Sequence, residues 1–446
     1  MHTVLNGAGR GPVGTRAETT VYLATIALLQ LGYLIGIATS PSRFFGVNQL
    51  RHVGILGSIL LFAAFWTYAL RLPASESPRR IPQKAHPEAL TEWPLALLLA
   101  ALGAAIFFLL GSNTLNPDGT ALLEKIPRDV ASHGAHVTHD EMLELFIHSR
   151  VYLHASRMFG WSVAETYKVL SALSGGVFLL ILCRMSGSLA PGARVTFVGM
   201  VLAGGYLQVF FGDVENYTLV ASLILLYIVC ARSHLLKETP LWVPTIVLSA
   251  AIAFHLLAGW LLPSWLYLLL RSLRRRELSA GLWSMAALAL PLVGVLVFFH
   301  FHGLPIQRLL DSSHVSGMGG HYARYIAPLQ VRYFGGLLNV ILLLLPVIVV
   351  LPALAYFRRL GDDPYSRFLQ VATISMLVFI AIWRAQLGVY NDWNLFAPGM
   401  IPIALLVAQS LYGIEGLPRK RVILVVLTLT AAAHSLAWIV GNHFGT

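Results

Sequence analysis

Charge is what this sequence has least of. Only 11% of its 446 residues are Asp, Glu, Lys or Arg, against about 25% in a soluble globular chain. Hydrophobic residues make up 57% and the mean hydropathy is +0.71, so the chain reads as an integral membrane protein. Acids are scarcer than bases, 20 against 31, for a net charge of +11. That surplus does not call for nucleic acid, because Lys and Arg gathered in loops on one membrane face account for it. There are two cysteines, Cys183 and Cys230, both inside apolar runs. They read as reduced packing residues and say nothing about redox compartment. No P-loop, no GxGxxG with a following acid, no GxSxG, no CxxC and no HExxH occurs in a sensible context. No soluble domain and no internal repeat is visible, and the missing repeat weakens the case for an inverted-repeat transporter. No cleavable signal is evident. The first apolar run starts near Thr19, after a Gly- and Arg-rich tail, and has the ~20-residue length of a span rather than the ~7–15 of a signal core.

What is there is a series of apolar runs of bilayer length. They lie near 20–39, 52–72, 93–112, 167–187, 194–211, 217–232, 282–301, 334–357, 367–385, 396–414 and 421–440. The region 241–272 is too long for one crossing and reads as two helices broken around His255–Gly259. The expected fold is an all-α polytopic membrane protein with roughly 11–13 transmembrane helices. Residues 1–18 are expected to be a disordered cytoplasmic tail, and 19–446 a single transmembrane domain. Alternating the spans puts Arg79/Arg80/Lys84, Arg274/Arg275/Arg276, Arg358/Arg359 and Arg419/Lys420/Arg421 on one side, which the positive-inside rule makes cytoplasmic. Arg43 and Arg51 fall on the other side. The Pro-rich stretch 75–93 reads as a cytoplasmic connector.

The outer face then receives every unusual polar segment. A large first loop, 113–166, opens with Asn116-Pro117-Asp118-Gly119, a strong turn signal. It continues with HDEMLELFIHSRVYLHASRMFG at 139–160, where Leu145, Phe146, Ser149, Tyr152, Leu153 and Ser156 share one face. This predicts a helix lying along the membrane surface, with Asp140, Glu141 and Glu144 solvated or at its start. Next comes FFGDVENYTLV at 210–220. In a tight turn Asp213 and Glu215 can converge, beside Asn216 and Tyr217. Capping of the following helix accounts for one of these acids and not for both. His255 falls at the break between two half-spans, as a hydrogen-bonded core residue or as a ligand. A flexible basic loop, 302–333, carries Arg308, Arg324 and Arg332 with His314 and His321. It suits either anion capture, phosphate above all, or contact with anionic lipid headgroups. Last is WRAQLGVYNDWNLFAPG at 383–399, with Arg384, Asp392 and Asn394 among aromatic rings. These rings are either an interfacial belt or a surface on which sugar faces stack while hydroxyls pair with amide and carboxylate.

The order of these pieces resembles the GT-C superfamily of integral-membrane glycosyltransferases. The likeness covers about 93–414 and rests on Asp118 in NPDG, on the span YKVLSALSGGVFLLIL at 167–182, and on FFGDVENY, AFHLLAGW and YNDWNLFAPG. Departures are Gly119, where a second acid often follows the first, and the two extra spans ahead of the first loop. The resemblance implies an enzyme that moves a sugar from a polyprenyl-phosphate donor to an acceptor hydroxyl at the outer face, with inversion. The acceptor is a glycan, lipid or protein. Asp118 is the first candidate for general base. Asp213 or Glu215 is the second, or orders sugar hydroxyls or a divalent cation such as Mg or Mn. Arg324, with Arg308 or Arg332, would hold the donor phosphate, and His255, Asn216, Tyr217, Arg384, Asp392 and Asn394 would line the pocket. A bacterial plasma membrane fits the resemblance.

Three rival readings stand beside it. A transporter or flippase of an anionic lipid or solute predicts paired ionisable residues near mid-span, where acids are nearly absent. A lipid-linked glycan polymerase or ligase shares the donor chemistry and differs in product. A purely structural membrane subunit leaves the GDVENY and YNDWN turns without a role.

Overall fold

The computed structural model describes residues 14–39, 44–72, 93–138, 140–187, 189–302, 331–383, 385 and 387–445, with only the backbone of Pro191, Val331 and Arg332. Residues 1–13 of the tail, the connector at 75–92, Arg79/Arg80/Lys84, Arg43, Arg308, Arg324 and Arg384 lie outside the described residues. The end of the expected tail is not disordered, since Thr15 caps α1 and residues 16–18 form its first turn.

Every described element is helical. The N-terminal helices are α1 (Arg16–Ala38), α2 (Gly54–Arg71) and α3 (Trp93–Leu109). Two amphipathic helices follow, α4 (Pro117–His133) and α5 (Met142–Phe159). Then come α6 (Val163–Ser186), α7 (Pro191–Leu202), α8 (Thr218–Leu235), α9 (Trp242–Phe254), α10 (Leu262–Arg274) and α11 (Leu278–Phe301). The C-terminal part holds α12 (Val331–Leu344), α13 (Leu351–Tyr356), α14 (Pro364–Ile382), α15 (Trp393–Phe396), α16 (Met400–Gly413) and α17 (Lys420–Phe444). Among the described residues eight helices are long and apolar enough to cross a bilayer, and four shorter apolar helices and one bent pair accompany them. Each expected crossing has its counterpart, including the two-helix reading of 241–272. There α9 stops at Phe254, and His255 turns extended at φ −150°, ψ 126° before α10.

Two expected spans are not single helices. The run 194–211 breaks after Leu202, at Gly204-Gly205, and goes on as a 3-10 turn, Gly205–Phe210. The cause is a close approach: a Cβ on Gly205 would stand 2.3 Å from the Leu343 carbonyl. The run 334–357 bends by 111° between α12 and the residues from Pro346 on. Proline disfavours the helical region for its predecessor, and Leu345 sits at φ −147°, ψ 75°.

Side-chain contacts sort the helix ends into two groups. At the basic end Arg359 pairs with buried Glu18 at 2.5 Å, the Thr19 hydroxyl donates to the Pro418 carbonyl, and the Arg232 guanidinium lies over Tyr365. His234 meets Ser272 there at 3.2 Å. Arg274–Arg276, Arg358/Arg359 and Arg419–Arg421 therefore share one end. At the opposite, acidic end the Asn113 amide donates to the His443 carbonyl, Phe146 packs on Phe299, and Trp393 meets Trp438 edge-on at 4.8 Å.

The loop 113–166 holds two surface helices where one was expected. Asn116-Pro117-Asp118-Gly119 is no isolated turn. Asn116 is the N-cap, its Oδ1 accepting the Gly119 N–H at 2.6 Å, and Pro117 begins a 17-residue helix. An Asn followed by Pro is as good a helix start as a turn. The apolar stripe Leu122, Ile126 and Val130 of α4 packs on Leu145, Val163 and Val214. This lays α4 against the turn before α8.

Candidate active site

The acidic end is built from three short segments. The first is the turn 211–217. Gly212 takes φ +75°, a left-handed conformation natural to glycine. The Glu215 N–H then donates to the Asp213 carbonyl at 3.0 Å. That tight turn brings two acids at spacing two onto one side. Both are buried, at 6% and 3% exposure, and Asp213 Oδ2 and Glu215 Oε1 have no hydrogen-bond partner. Burial pushes Asp213 up to about 7. Burial, and then the charges of Asp213, Asp118 and Glu141, hold Glu215 well above the usual carboxylate range.

The second segment is the start of α5, where the structure corrects the expectation of solvated acids. Glu144 is fully buried. Its Oε1 accepts the Leu219 N–H (2.8 Å) and the Thr218 hydroxyl (3.2 Å), and its Oε2 accepts the Val220 N–H (3.2 Å). It thus takes up the unpaired amides at the start of α8 from another helix. Burial still raises it, to about 7. Glu141 is also largely buried. Its Oε2 accepts from the Asn216 amide at 2.8 Å, and its Oε1 lies 3.5 Å from His255 Nε2. The Tyr167 hydroxyl donates to Asn216 Oδ1 at 2.7 Å, which orients that amide toward Glu141. His148 stacks on Tyr167 at 4.1 Å, and burial pulls it down to about 4.

The third segment is the break at His255. The Leu257 N–H points at His255 Nδ1 from 3.1 Å, so Nδ1 is the acceptor and the ring proton sits on Nε2, facing Glu141. Tyr217 stacks over the ring, 4.9 Å between centroids. Burial opposes charging of this imidazole, and the hydrogen bond and charge of Glu141 favour it strongly enough to raise it overall.

The two acid pairs differ in one respect. Glu141 and Glu144 have both oxygens engaged; Asp213 and Glu215 each keep a buried oxygen without a partner.

The other sequence candidates take varied positions. Asp118 is exposed in the first turn of α4. It is near enough for its charge to bear on Glu215. Asp392 is buried, its Oδ2 accepting the Leu387 N–H at 2.8 Å, and its charge bears on Tyr217. Asn394 turns its Oδ1 to the Leu395 N–H, while Trp393 and Phe396 are core side chains. That part of the YNDWN surface is interior packing rather than an open sugar platform. Arg308, Arg324, Arg384 and the Arg332 side chain lie outside the described residues. Sequence reasoning undervalued Glu141, Glu144 and His148. Their spacing, i, i+3, i+7, is the one signal that could have found them. Among the described residues no three His, Cys, Asp or Glu side chains form a group that could hold a metal ion, so they offer no cage for the divalent cation the resemblance implies.

No protein-family model matches the chain, and no curated protein does. Among solved structures the chain is similar to ArnT from Cupriavidus metallidurans, in a crystal structure bound to undecaprenyl phosphate. Identity is 17%, the TM-score is 0.49, and the match covers 73% of this chain and 60% of that one. The chain thus spans less than two thirds of that protein's length. A likeness of this size carries no argument about chemistry.

Proposed function

We propose that this protein is a membrane glycosyltransferase that moves a sugar from a polyprenyl-phosphate donor to an acceptor hydroxyl at the outer membrane face. The observation that carries the reading is the pair Asp213 and Glu215, buried on one tight turn, each with an oxygen that has no hydrogen-bond partner. A carboxylate whose affinity for protons is raised toward 7 is a far better base than one at ~4, and a base is what an acceptor hydroxyl needs. Asp213 is the base in this reading. It takes the hydroxyl proton as the acceptor oxygen bonds to the anomeric carbon. The bond from that carbon to the phosphate oxygen breaks, and its electron pair leaves with the phosphate. One displacement inverts the anomeric centre. Glu215, protonated, donates to a sugar hydroxyl. Asp118, exposed in the first turn of α4, sits at the rim. His255, Tyr217 and Asn216 border the sugar, with Arg384 assigned to the same pocket, while Asp392 acts from behind Tyr217. Arg308, Arg324 and Arg332 neutralise the departing phosphate.

The membrane is the bacterial plasma membrane in this reading, and the acceptor is a glycan, lipid or protein. The test is transfer from a labelled polyprenyl-phosphate sugar by protein in nanodiscs. Wild type releases polyprenyl phosphate and forms a glycosylated acceptor, and Asp213→Asn does neither while inserting normally. Undiminished transfer by that variant would remove Asp213 as the base. Flux of intact donor across proteoliposomes without release of sugar would replace the enzyme by a flippase.

A further inference from the structure

Lys168, at the acidic end, has no carboxylate within ion-pair distance among the described residues. Lys168 follows Tyr167 on α6 and is turned about 100° away from the acid cluster, toward α3. Its ammonium lies 4.8 Å from the Phe108 ring centroid. Two stretches of backbone cross over it, joined where the Ser112 N–H donates to the Phe211 carbonyl at 2.6 Å. Both crossings are at glycine. A Cβ on Gly111 would stand 2.4 Å from Lys168 Cε and 3.1 Å from Nζ, and one on Gly212 would stand 3.0 Å from Cγ. The chain thus leaves room for this half-buried side chain at two separate places. Asp213 is the very next residue after Gly212. The same two helices carry outward-facing apolar side chains, with Leu109 of α3 68% exposed and Leu173 of α6 58% exposed.

We propose that Lys168 receives the phosphate of a lipid whose apolar chain lies along α3 and α6. A half-buried lysine beside outward-facing apolar side chains is matched by a phosphate carried on a hydrocarbon tail. The proposal rests on the polyprenyl-phosphate reading above and adds a phosphate contact to it. In-line displacement puts base and leaving phosphate on opposite sides of the anomeric carbon. A lysine beside the Asp213 turn, yet outside ion-pair distance of that acid, suits this.

The phosphate could come from the donor or from ordinary phospholipid, and the test separates them. Protein in neutral phosphatidylcholine nanodiscs is titrated with a long-chain polyprenyl monophosphate, and separately with phosphatidylglycerol. Lys168→Met is expected to weaken polyprenyl phosphate binding about tenfold or more, the scale of one charge-assisted hydrogen bond. Lys168→Arg should keep most of it, which guards against a folding defect. Phosphatidylglycerol should bind weakly and respond little. Equal binding by wild type and Lys168→Met overturns the proposal. So does an equal loss for both lipids, which would make Lys168 a general headgroup contact. If wild type binds polyprenyl phosphate through Lys168 but transfers no sugar, the glycosyltransferase reading falls and this one stands. If transfer is present and Lys168→Met binds as wild type does, the reverse holds. If wild type does not bind the lipid, both fall.

Discussion

Gly119 of α4 lies directly against Val214: a Cβ on Gly119 would stand 3.0 Å from the Val214 carbonyl oxygen and 3.4 Å from its Cβ. The first turn of a surface helix is thereby fitted to the turn that carries Asp213 and Glu215. Backbone cannot yield as a flexible side chain can, so a methyl group here must push the two segments apart by a few tenths of an ångström. Gly119→Ala is expected to lower transfer severalfold with normal membrane insertion, and Gly119→Val to abolish it. Initial rates at matched protein abundance check this. A fully active Gly119→Val would mean that the two segments need not touch.

Asp213 gives a pH dependence with two opposite signs. As a base it acts when deprotonated, so the transfer rate should rise with pH and level off above about 7. Stability runs the other way. The folded state holds this proton to a higher pH than the unfolded chain, whose carboxyl titrates near ~3.9. Between those values the folded state binds more protons, so stability falls as pH rises and stays lower above about 7. Asp213→Asn removes the penalty. It should melt higher than wild type at pH 8, by a smaller margin at pH 5, be nearly matched with it only below about pH 4, and lose about 10²–10⁴ in rate. Melting curves at these pH values, set beside rates, check the pair of signs.

The division between what was readable from the sequence and what was not follows physical lines. Crossings were legible because a bilayer imposes a length and an apolar composition on each span. The break at Gly204-Gly205 was not, since its cause is the Leu343 carbonyl of a distant segment. Asp213, Glu215 and His255 stood out because polar groups between apolar runs are conspicuous. Glu144 did not. The helix α5 has both buried and exposed apolar residues, and its apolar stripe does not reveal that Glu144 and His148 face the protein. The start of α4 was misread for a local reason, since Asn-Pro opens turns and helices alike.

Glu144 supports the start of α8 by three hydrogen bonds, from Leu219, Val220 and Thr218. Each bond to a charged group contributes about 1.5–3 kcal/mol, and leaving the buried amides unpaired is costly. Glu144→Ala should therefore lower the melting temperature and the transfer rate together, because α8 carries the 211–217 turn at its head. Glu144→Gln keeps one acceptor oxygen for Leu219 and Thr218 but turns an amide toward the Val220 N–H. It should fall between wild type and Glu144→Ala in both measurements. Equal melting temperatures for wild type and Glu144→Ala would show that α8 starts without this support.

His255 performs two tasks through two different nitrogens, and substitutions can separate them. Nδ1 accepts the Leu257 N–H and fixes the break between α9 and α10, while Nε2 faces Glu141. Asparagine carries an oxygen near the Nδ1 position and nothing at Nε2. His255→Asn should keep the break and a near-normal melting temperature, yet lose about tenfold to a hundredfold in transfer, as Glu141 is left with Asn216 as its one remaining partner of the two. Glutamine reaches the Nε2 position and leaves the Leu257 N–H without an acceptor. His255→Gln should therefore retain more activity per folded molecule while melting lower. Activity and melting temperature ranked in opposite orders for these two variants would confirm the division; the same order in both would mean that His255 acts only through the shape of the break.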